Sequence, residues 1–304
     1  MKAVIFPGQG AQYVGMGKSL HDNFPEAKNI FSSIDSILGF KLSEKCFSGT
    51  ADELKNTATQ QLAILAVSLA AFEVFSLEKI KVDYLSGLSL GEYSCLYAAG
   101  VVSLKELVIL VRERAEAMQK AALSSDSTML AVIGLDSELL KAESHKKNFY
   151  ISNVNSAQQI VISLAKKDKE KVKTALEAQG AKVIELEVSG GFHSPFMGPA
   201  RSHLAKIIEK IEFMDARVPI VSNVTARPHN AGNEIKGNLI SQLTSPVLWK
   251  DCVEFIRSKG VEVFFEIGPS RVLRGLMRKI DPAIKVLNIE KKEDLGEIKI
   301  VRTV

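Results

Sequence analysis

Tyr84-Leu-Ser-Gly-Leu-Ser-Leu-Gly-Glu-Tyr-Ser-Cys-Leu-Tyr-Ala-Ala-Gly100 is the stretch that decides how the rest of this chain is read. A short strand-like run, Val82 to Leu85, meets Gly-Leu-Ser-Leu-Gly at Gly87 to Gly91, and a helix-compatible segment follows at once. Strand, sharp turn and helix is the order of a nucleophile elbow, whose turn projects Ser89. Glycines two residues to either side let the backbone close tightly, and the helix beginning there aims free N–H groups at an oxyanion beside the serine. The Leu90 N–H is the expected donor. Taken alone, G-x-S-x-G fits an ordinary Gly/Ser turn as well.

Upstream, Lys2 to Phe6 reads as a buried strand that ends in the glycine-rich loop Pro7-Gly-Gln-Gly-Ala-Gln12, at the sheet edge where open α/β folds place their sites. The loop could bind phosphate or supply backbone donors, but it lacks both Gly-Lys-Ser/Thr and G-x-G-x-x-G, so a nucleotide reading is weak. Ala58 to Phe75 reads as a helix apolar on most sides. Downstream, Ser103-Leu-Lys-Glu106 is a capping box for a helix reaching about Ala122. On that helix Leu107, Leu110, Val111 and Met118 share one stripe with Arg114, while Arg112 points the other way into solvent. A guanidinium on an apolar face is costly to bury and stays charged. It must therefore meet an anion, either a fixed carboxylate of the protein or one carried by a ligand.

From Thr128 to Val188 the pattern changes to strand, helix, strand, strand, helix, strand, the ferredoxin-like unit, inserted into the larger domain. Its second helix opens with the basic run Lys166 to Lys173, most simply a solvated helix start. Ser189-Gly-Gly-Phe-His-Ser-Pro-Phe196 follows, with Ser194-Pro195 resembling an N-cap and first helical residue, so His193 is expected on a loop just before a helix. His21, His145 and His203 lie in helical, mostly charged surroundings and His229 in a polar loop. Only His193 has the setting of a general base, although a structural histidine fits there too. Val218 to Ser222 and Val261 to Ile267 read as further strands, separated by a polar loop from Asn223 to Asn233. Glu266-Ile-Gly-Pro-Ser270 closes the second on another Gly-Pro turn. Residues after Glu290 are charged and read as a loosely held tail.

Composition sets the outer limits. At 304 residues and 46% hydrophobic, the chain suits one large soluble domain or two. A net charge of +4 without aromatics interleaved in a basic block argues against nucleic acid, and that excess is concentrated from Arg271 to Arg302. Cys46, Cys95 and Cys252 are far apart, as suits reduced thiols, and no H-E-x-x-H or C-x-x-C cluster offers a metal site. The N-terminus runs directly into a strand, so no secretory signal is expected, and the apolar run Leu62 to Phe75 is too short for a membrane span of about 20 residues. A cytoplasmic, monomeric protein that binds no membrane is the expectation.

Six motifs then occur in one order: Phe6-Pro-Gly-Gln-Gly-Ala-Gln12, Gly87-Leu-Ser-Leu-Gly-Glu-Tyr93, Arg114-Ala-Glu-Ala-Met-Gln119, Gly191-Phe-His-Ser194, Gln242-Leu with Pro246-Val-Leu-Trp249, and Glu266-Ile-Gly-Pro269. Together they resemble the malonyl-CoA:acyl carrier protein transacylase family over nearly the whole chain. The resemblance implies an α/β fold, an α/β-hydrolase-like parallel-sheet subdomain (residues 1–125 and 190–290) with an inserted ferredoxin-like (βαββαβ) subdomain (126–189), followed by the tail at 291–304. It implies Ser89 as nucleophile, His193 as base and then acid, and the N–H groups of Gln9 and Leu90 as oxyanion hole. Gln242 would orient the histidine, Arg114 would grip the malonyl carboxylate, and Phe192 would crowd an α-methyl branch. The substrates implied are malonyl-CoA and the phosphopantetheine thiol of an acyl carrier protein, with no further cofactor and no metal, in fatty-acid or polyketide synthesis.

Three positions depart from the family's pattern. Leu88 replaces the usual histidine before the nucleophile, which resembles the freestanding acyltransferases serving polyketide assembly lines without built-in acyltransferase domains. Thr59-Gln60-Gln61 has Gln where Pro is usual, and Ser163-Leu164 lacks a common glycine; both are expected to concern local backbone. Two other functions compete. A serine acyl hydrolase on the same fold would release malonate to water, and a non-catalytic carrier-protein-binding module would not need Ser89.

Overall fold

The computed structural model describes residues 1–302, with side chains throughout except at 145–147 and 299–302. Its strands in chain order are β1 (Lys2–Phe6), β2 (Tyr84–Gly87), β3 (Ser127–Ile133), β4 (Phe149–Ser156) and β5 (Gln159–Ala165). Then come β6 (Lys182–Glu185), β7 (Ile220–Val221), β8 (Pro228–His229), β9 (Val263–Ile267) and β10 (Lys285–Ile289). One six-stranded sheet has the order β10-β9-β1-β2-β7-β8, parallel except at the β7–β8 edge. Parallel neighbours need crossovers, and the crossing helices bury both faces. Along β1, Val4 and Phe6 pack into one hydrophobic cluster, Ala3 and Ile5 into the one on the opposite face.

Register fixes where the loops emerge. Phe6 stands opposite Gly87 on β2, and Ile5 opposite Glu266 on β9. The three Gly-rich turns after β1, β2 and β9 therefore leave one carboxyl edge side by side, the crevice where open α/β sheets bind ligands. β2 begins two residues later than the Val82 read from the sequence, because its pairing with β1 runs from Tyr84 opposite Ala3.

The second sheet is antiparallel, order β4-β5-β3-β6, with helices Ser137–Lys147 and Lys169–Glu177 completing the ferredoxin-like βαββαβ order. It has its own core, including Leu130, Phe149, Ile162 and Leu176. Reciprocal backbone bonds between Val154 and Val247 and between Val247 and Ser152, at 2.9 and 2.8 Å, tie β4 to the segment that follows Gln242.

Two helices carry the site from behind. Thr57–Ser76 has fifteen buried residues and no polar face. Its 20 residues make it long and apolar enough to cross a bilayer, which corrects the shorter count from the sequence; here it is enclosed by other helices. Leu104–Ser124 opens with both halves of the Ser103/Glu106 capping box in place. The expected tail at 291–304 is corrected as well. Leu295–Arg302 is a helix whose Leu295 and Ile298 are buried in the main core, and Lys292 ahead of it bonds Ser19 and Asn23. Apolar residues three apart outweigh the charges between them.

Candidate active site

Ser89 stands at the tip of the β2 turn with φ +52°, the left-handed region that a side chain enters at a cost. A Cβ on Gly87 would lie 2.0 Å from the Gly91 carbonyl carbon, and one on Gly91 would lie 2.0 Å from the Phe6 carbonyl oxygen, so both glycines are sterically required. Ser89 Oγ is 2.7 Å from His193 Nε2. His193 Nδ1 donates to the main-chain carbonyl of Gln242 at 2.8 Å. That bond places the ring proton on Nδ1 and leaves the Nε2 lone pair facing the hydroxyl. Burial, and secondly the charge of Arg114, push the imidazole pKa down to about 4, so it is a neutral acceptor at pH 7.

The histidine loop is pinned by three serines. Gly191 N–H donates to Ser127 Oγ at 2.7 Å, and Ser163 Oγ donates to the Phe192 carbonyl at 2.9 Å. Ser163 thus bonds the residue before His193. Ser194 does not cap a helix as expected: its hydroxyl donates to the Gly191 carbonyl, while Pro195 opens a short 3₁₀ turn, Pro195–Met197. His193 too has a left-handed backbone, φ +54°.

Arg114 is 1% exposed, and its helix points it at the serine. Nη2 donates to Ser89 Oγ at 3.0 Å and to Gln242 Oε1 at 3.2 Å, Nη1 donates to Gln61 Oε1, and the guanidinium lies 4.8 Å over the Tyr93 ring. Every one of these partners is neutral, and no ion pair involves Arg114 among the described residues. Burial lowers its pKa, yet a guanidinium stays cationic at neutral pH. Of the two anions left open by the helical pattern, the fixed carboxylate is missing from its contacts.

The Gln242 side chain turns away from the histidine, its Nε2 donating to Glu92 at 2.8 Å and to the Ser89 carbonyl at 3.1 Å. Its contact with His193 is made by the main chain. Among the described residues neither the Gln9 nor the Leu90 N–H donates to a protein acceptor. A cleft of 410 Å³ between the two sheets is lined by Gln9, Leu88, Ser89, Phe192 and His193, and by Val272 and Leu276 of the helix Val272–Ile280. Of the seven sequence-derived site residues, Gln9, Ser89, Phe192 and His193 line this cleft, Arg114 and Gln242 join it through their bonds to Ser89, and Leu90 follows Ser89 in the chain.

Other candidates lie elsewhere. His21, His203 and His229 pair with Asp22, Glu113 and Glu234 near the surface, and the side chain of His145 lies outside the described residues. Lys166 and Lys169 pair with Asp126, just before β3, and with Glu185 of β6. All three cysteines are buried and unpaired. Among the described residues no cluster of three or more His, Cys, Asp or Glu side chains is arranged to hold a metal. Sequence reasoning passed over Gln61, Glu92 and Asn223. Glu92 lies within the elbow stretch Tyr84 to Gly100 and Gln61 within Thr59-Gln60-Gln61, whereas Asn223 carries no local signal.

The acyl transferase domain family matches residues 4–299 of the chain. The malonyl CoA-acyl carrier protein transacylase of Bacillus subtilis is 40% identical over 299 residues, 96% of this chain and 94% of that protein. The acyl-carrier-protein-S-malonyltransferase of Bartonella henselae superposes with a TM-score of 0.95 at 37% identity, covering 100% and 99% of the two chains. A malonyl-transacylase solved in complex with its type II polyketide synthase acyl-carrier protein superposes at 0.92 with 35% identity, covering 97% of each chain.

Proposed function

Because this chain belongs to the acyl transferase domain family, among its malonyl-CoA:acyl carrier protein transacylases, we propose that Ser89 carries a malonyl group from malonyl-CoA to the phosphopantetheine thiol of an acyl carrier protein, in fatty-acid or polyketide synthesis. The observation that carries the site assignment is the buried guanidinium of Arg114 beside Ser89 Oγ, with no carboxylate in direct contact among the described residues and Glu92 reached only through Gln242. A malonyl group joined to that oxygen brings its own carboxylate, the missing anion, and a charge-assisted Arg–carboxylate pair is the strongest hydrogen bonding available there.

The steps follow from the contacts. His193 Nε2 takes the Ser89 hydroxyl proton as Oγ attacks the thioester carbon, and the carbonyl oxygen becomes an oxyanion facing the N–H groups of Gln9 and Leu90. Collapse expels the CoA sulfur, which leaves with the proton held by His193, and malonyl remains as the Ser89 ester. The phosphopantetheine thiol then gives its proton to His193 and attacks the ester carbon, and the proton returns to Ser89 Oγ as the thioester forms. Gln242 keeps the imidazole in the required tautomer through its main-chain carbonyl. Phe192 narrows the cleft next to the histidine against an α-methyl branch.

Intact and peptide mass spectrometry after mixing with malonyl-CoA should find a malonyl adduct on Ser89 that is discharged by holo acyl carrier protein. An adduct on another residue would overturn the mechanism. Release of malonate to water at a rate indifferent to carrier protein would make the chain a hydrolase instead.

A further inference from the structure

Asn223 is fully buried, and its two shortest side-chain bonds go to the turn that presents Ser89, with a longer one accepted by Oδ1 from Gln242 Nε2 at 3.4 Å. Oδ1 accepts the Ser89 N–H at 2.7 Å, and Nδ2 donates to the Gly87 carbonyl at 2.7 Å, so one carboxamide spans the turn from 87 to 89. The main chain of Asn223 is itself fixed on both sides. Its N–H donates to the Glu92 carboxylate at 3.0 Å, and its carbonyl accepts the Leu248 N–H at 2.9 Å. Glu92 also holds the Gln242 side chain, so the brace under the serine and the residue behind the histidine share one buried acid.

A left-handed backbone at a residue with a Cβ persists only where its surroundings over-determine it. At Ser89 the strain is plain from φ, and its N–H has no main-chain acceptor among the described residues. We propose that Asn223 is a positioning residue for the nucleophile, its carboxamide holding residues 87 and 89 in the geometry that aims Ser89 Oγ at His193. Without it the part-buried Ser89 N–H loses its partner, and relaxing φ to satisfy it swings the hydroxyl out of the 2.7 Å contact. The inference rests on the reading of Ser89 as nucleophile.

The test is single-turnover loading of the full chain by malonyl-CoA and, in parallel, acetyl-CoA, with rate and final extent followed separately by intact mass. Asn223→Ala should slow both acyl groups about 100-fold while still loading one acyl group per chain, because a small misplacement of a reacting group costs rate on that scale. The malonyl-to-acetyl rate ratio and the pH profile should not move. Asn223→Asp keeps the acceptor but sets an oxygen against the Gly87 carbonyl, and should be slow as well. If the Ala variant fails to fold, Asn223→Ser is read by the same criteria. An unchanged rate, a reduced extent at normal rate, or a changed acyl ratio would each overturn the proposal. Peptide mapping separates the two readings: an adduct away from Ser89 in the parent removes the nucleophile assignment and this brace with it, whereas an adduct on Ser89 with a fast Ala variant removes the brace alone.

Discussion

Ser89 and His193 hang from turns whose backbones are forced into the left-handed region, while Arg114 sits midway along a regular 21-residue helix. Each strained turn costs on the order of 1 to 2 kcal/mol and is held by bonds that arrive from distant segments. The helix needs no such support. It begins on its own capping box and buries an apolar stripe, and Arg114 rides on that stripe. On the proposed mechanism the two regions would divide the labour physically: turn geometry would set how fast any acyl group reacts, and a helix-borne charge which acyl group is accepted.

Substitution on each side should separate these effects. His193→Ala should lower single-turnover loading about 1000-fold for malonyl-CoA and acetyl-CoA alike, the usual scale of a lost general base. Arg114→Ala should be smaller and selective. An ion pair broken in a buried site is worth about 3 kcal/mol or more, so malonyl loading should drop about 100-fold while acetyl loading shifts by less than about threefold. Equal losses for both acyl groups in Arg114→Ala would abolish the distinction between the two regions.

A finer test uses the electrical coupling between Arg114 and His193. His193 is held near pKa 4 chiefly by burial and secondly by the Arg114 charge, so the loading rate should stay level down to about pH 5 and fall as pH drops through 4. Arg114→Ala should move that limb upward, toward the ordinary histidine value. The sign for stability follows from the same shift. Between about 6.5 and 4 the unfolded chain binds a proton that the folded imidazole refuses, so this group's stabilisation is present above 6.5 and is lost as pH falls to 4. Thermal melts of the parent and His193→Gln across that window should diverge at the acid end. Parallel curves would mean that the imidazole is protonated in the fold.

Much of this was legible in the chain because local rules write it there. Two glycines bracketing Ser89, the Ser103/Glu106 box and an arginine on an apolar stripe each state a requirement within a turn or two of helix. Asn223, Glu92 and Gln61 were not legible. Asn223 bonds Ser89 across 134 positions and Gln61 bonds Arg114 across 53, contacts that exist only once β7 lies beside β2 and the two long helices pack together. No periodicity marks such a partner. Gln242 was read as the residue behind the histidine, but the atom responsible is a carbonyl oxygen, which any side chain at that position would also carry.

The smallest expected effect lies outside both regions, in the C-terminal helix that the charge pattern concealed. The ion pair on the turn just ahead of it, Arg271 to Asp294 at 3.5 Å, is partly exposed and worth less than about 1 kcal/mol. Ile298, with no exposed surface, is what fastens the helix, and trimming it to alanine should cost about 2 to 4 kcal/mol from lost burial and the cavity left behind. In a chain of this size that is a fall of several degrees in melting temperature. Loading rates for malonyl and acetyl at 25 °C, and their ratio, should match the parent, because among the described residues no contact of Ser89, His193 or Arg114 runs through this helix. A changed ratio would mean that acyl choice depends on the whole fold, and the division between turn and helix would then be too simple.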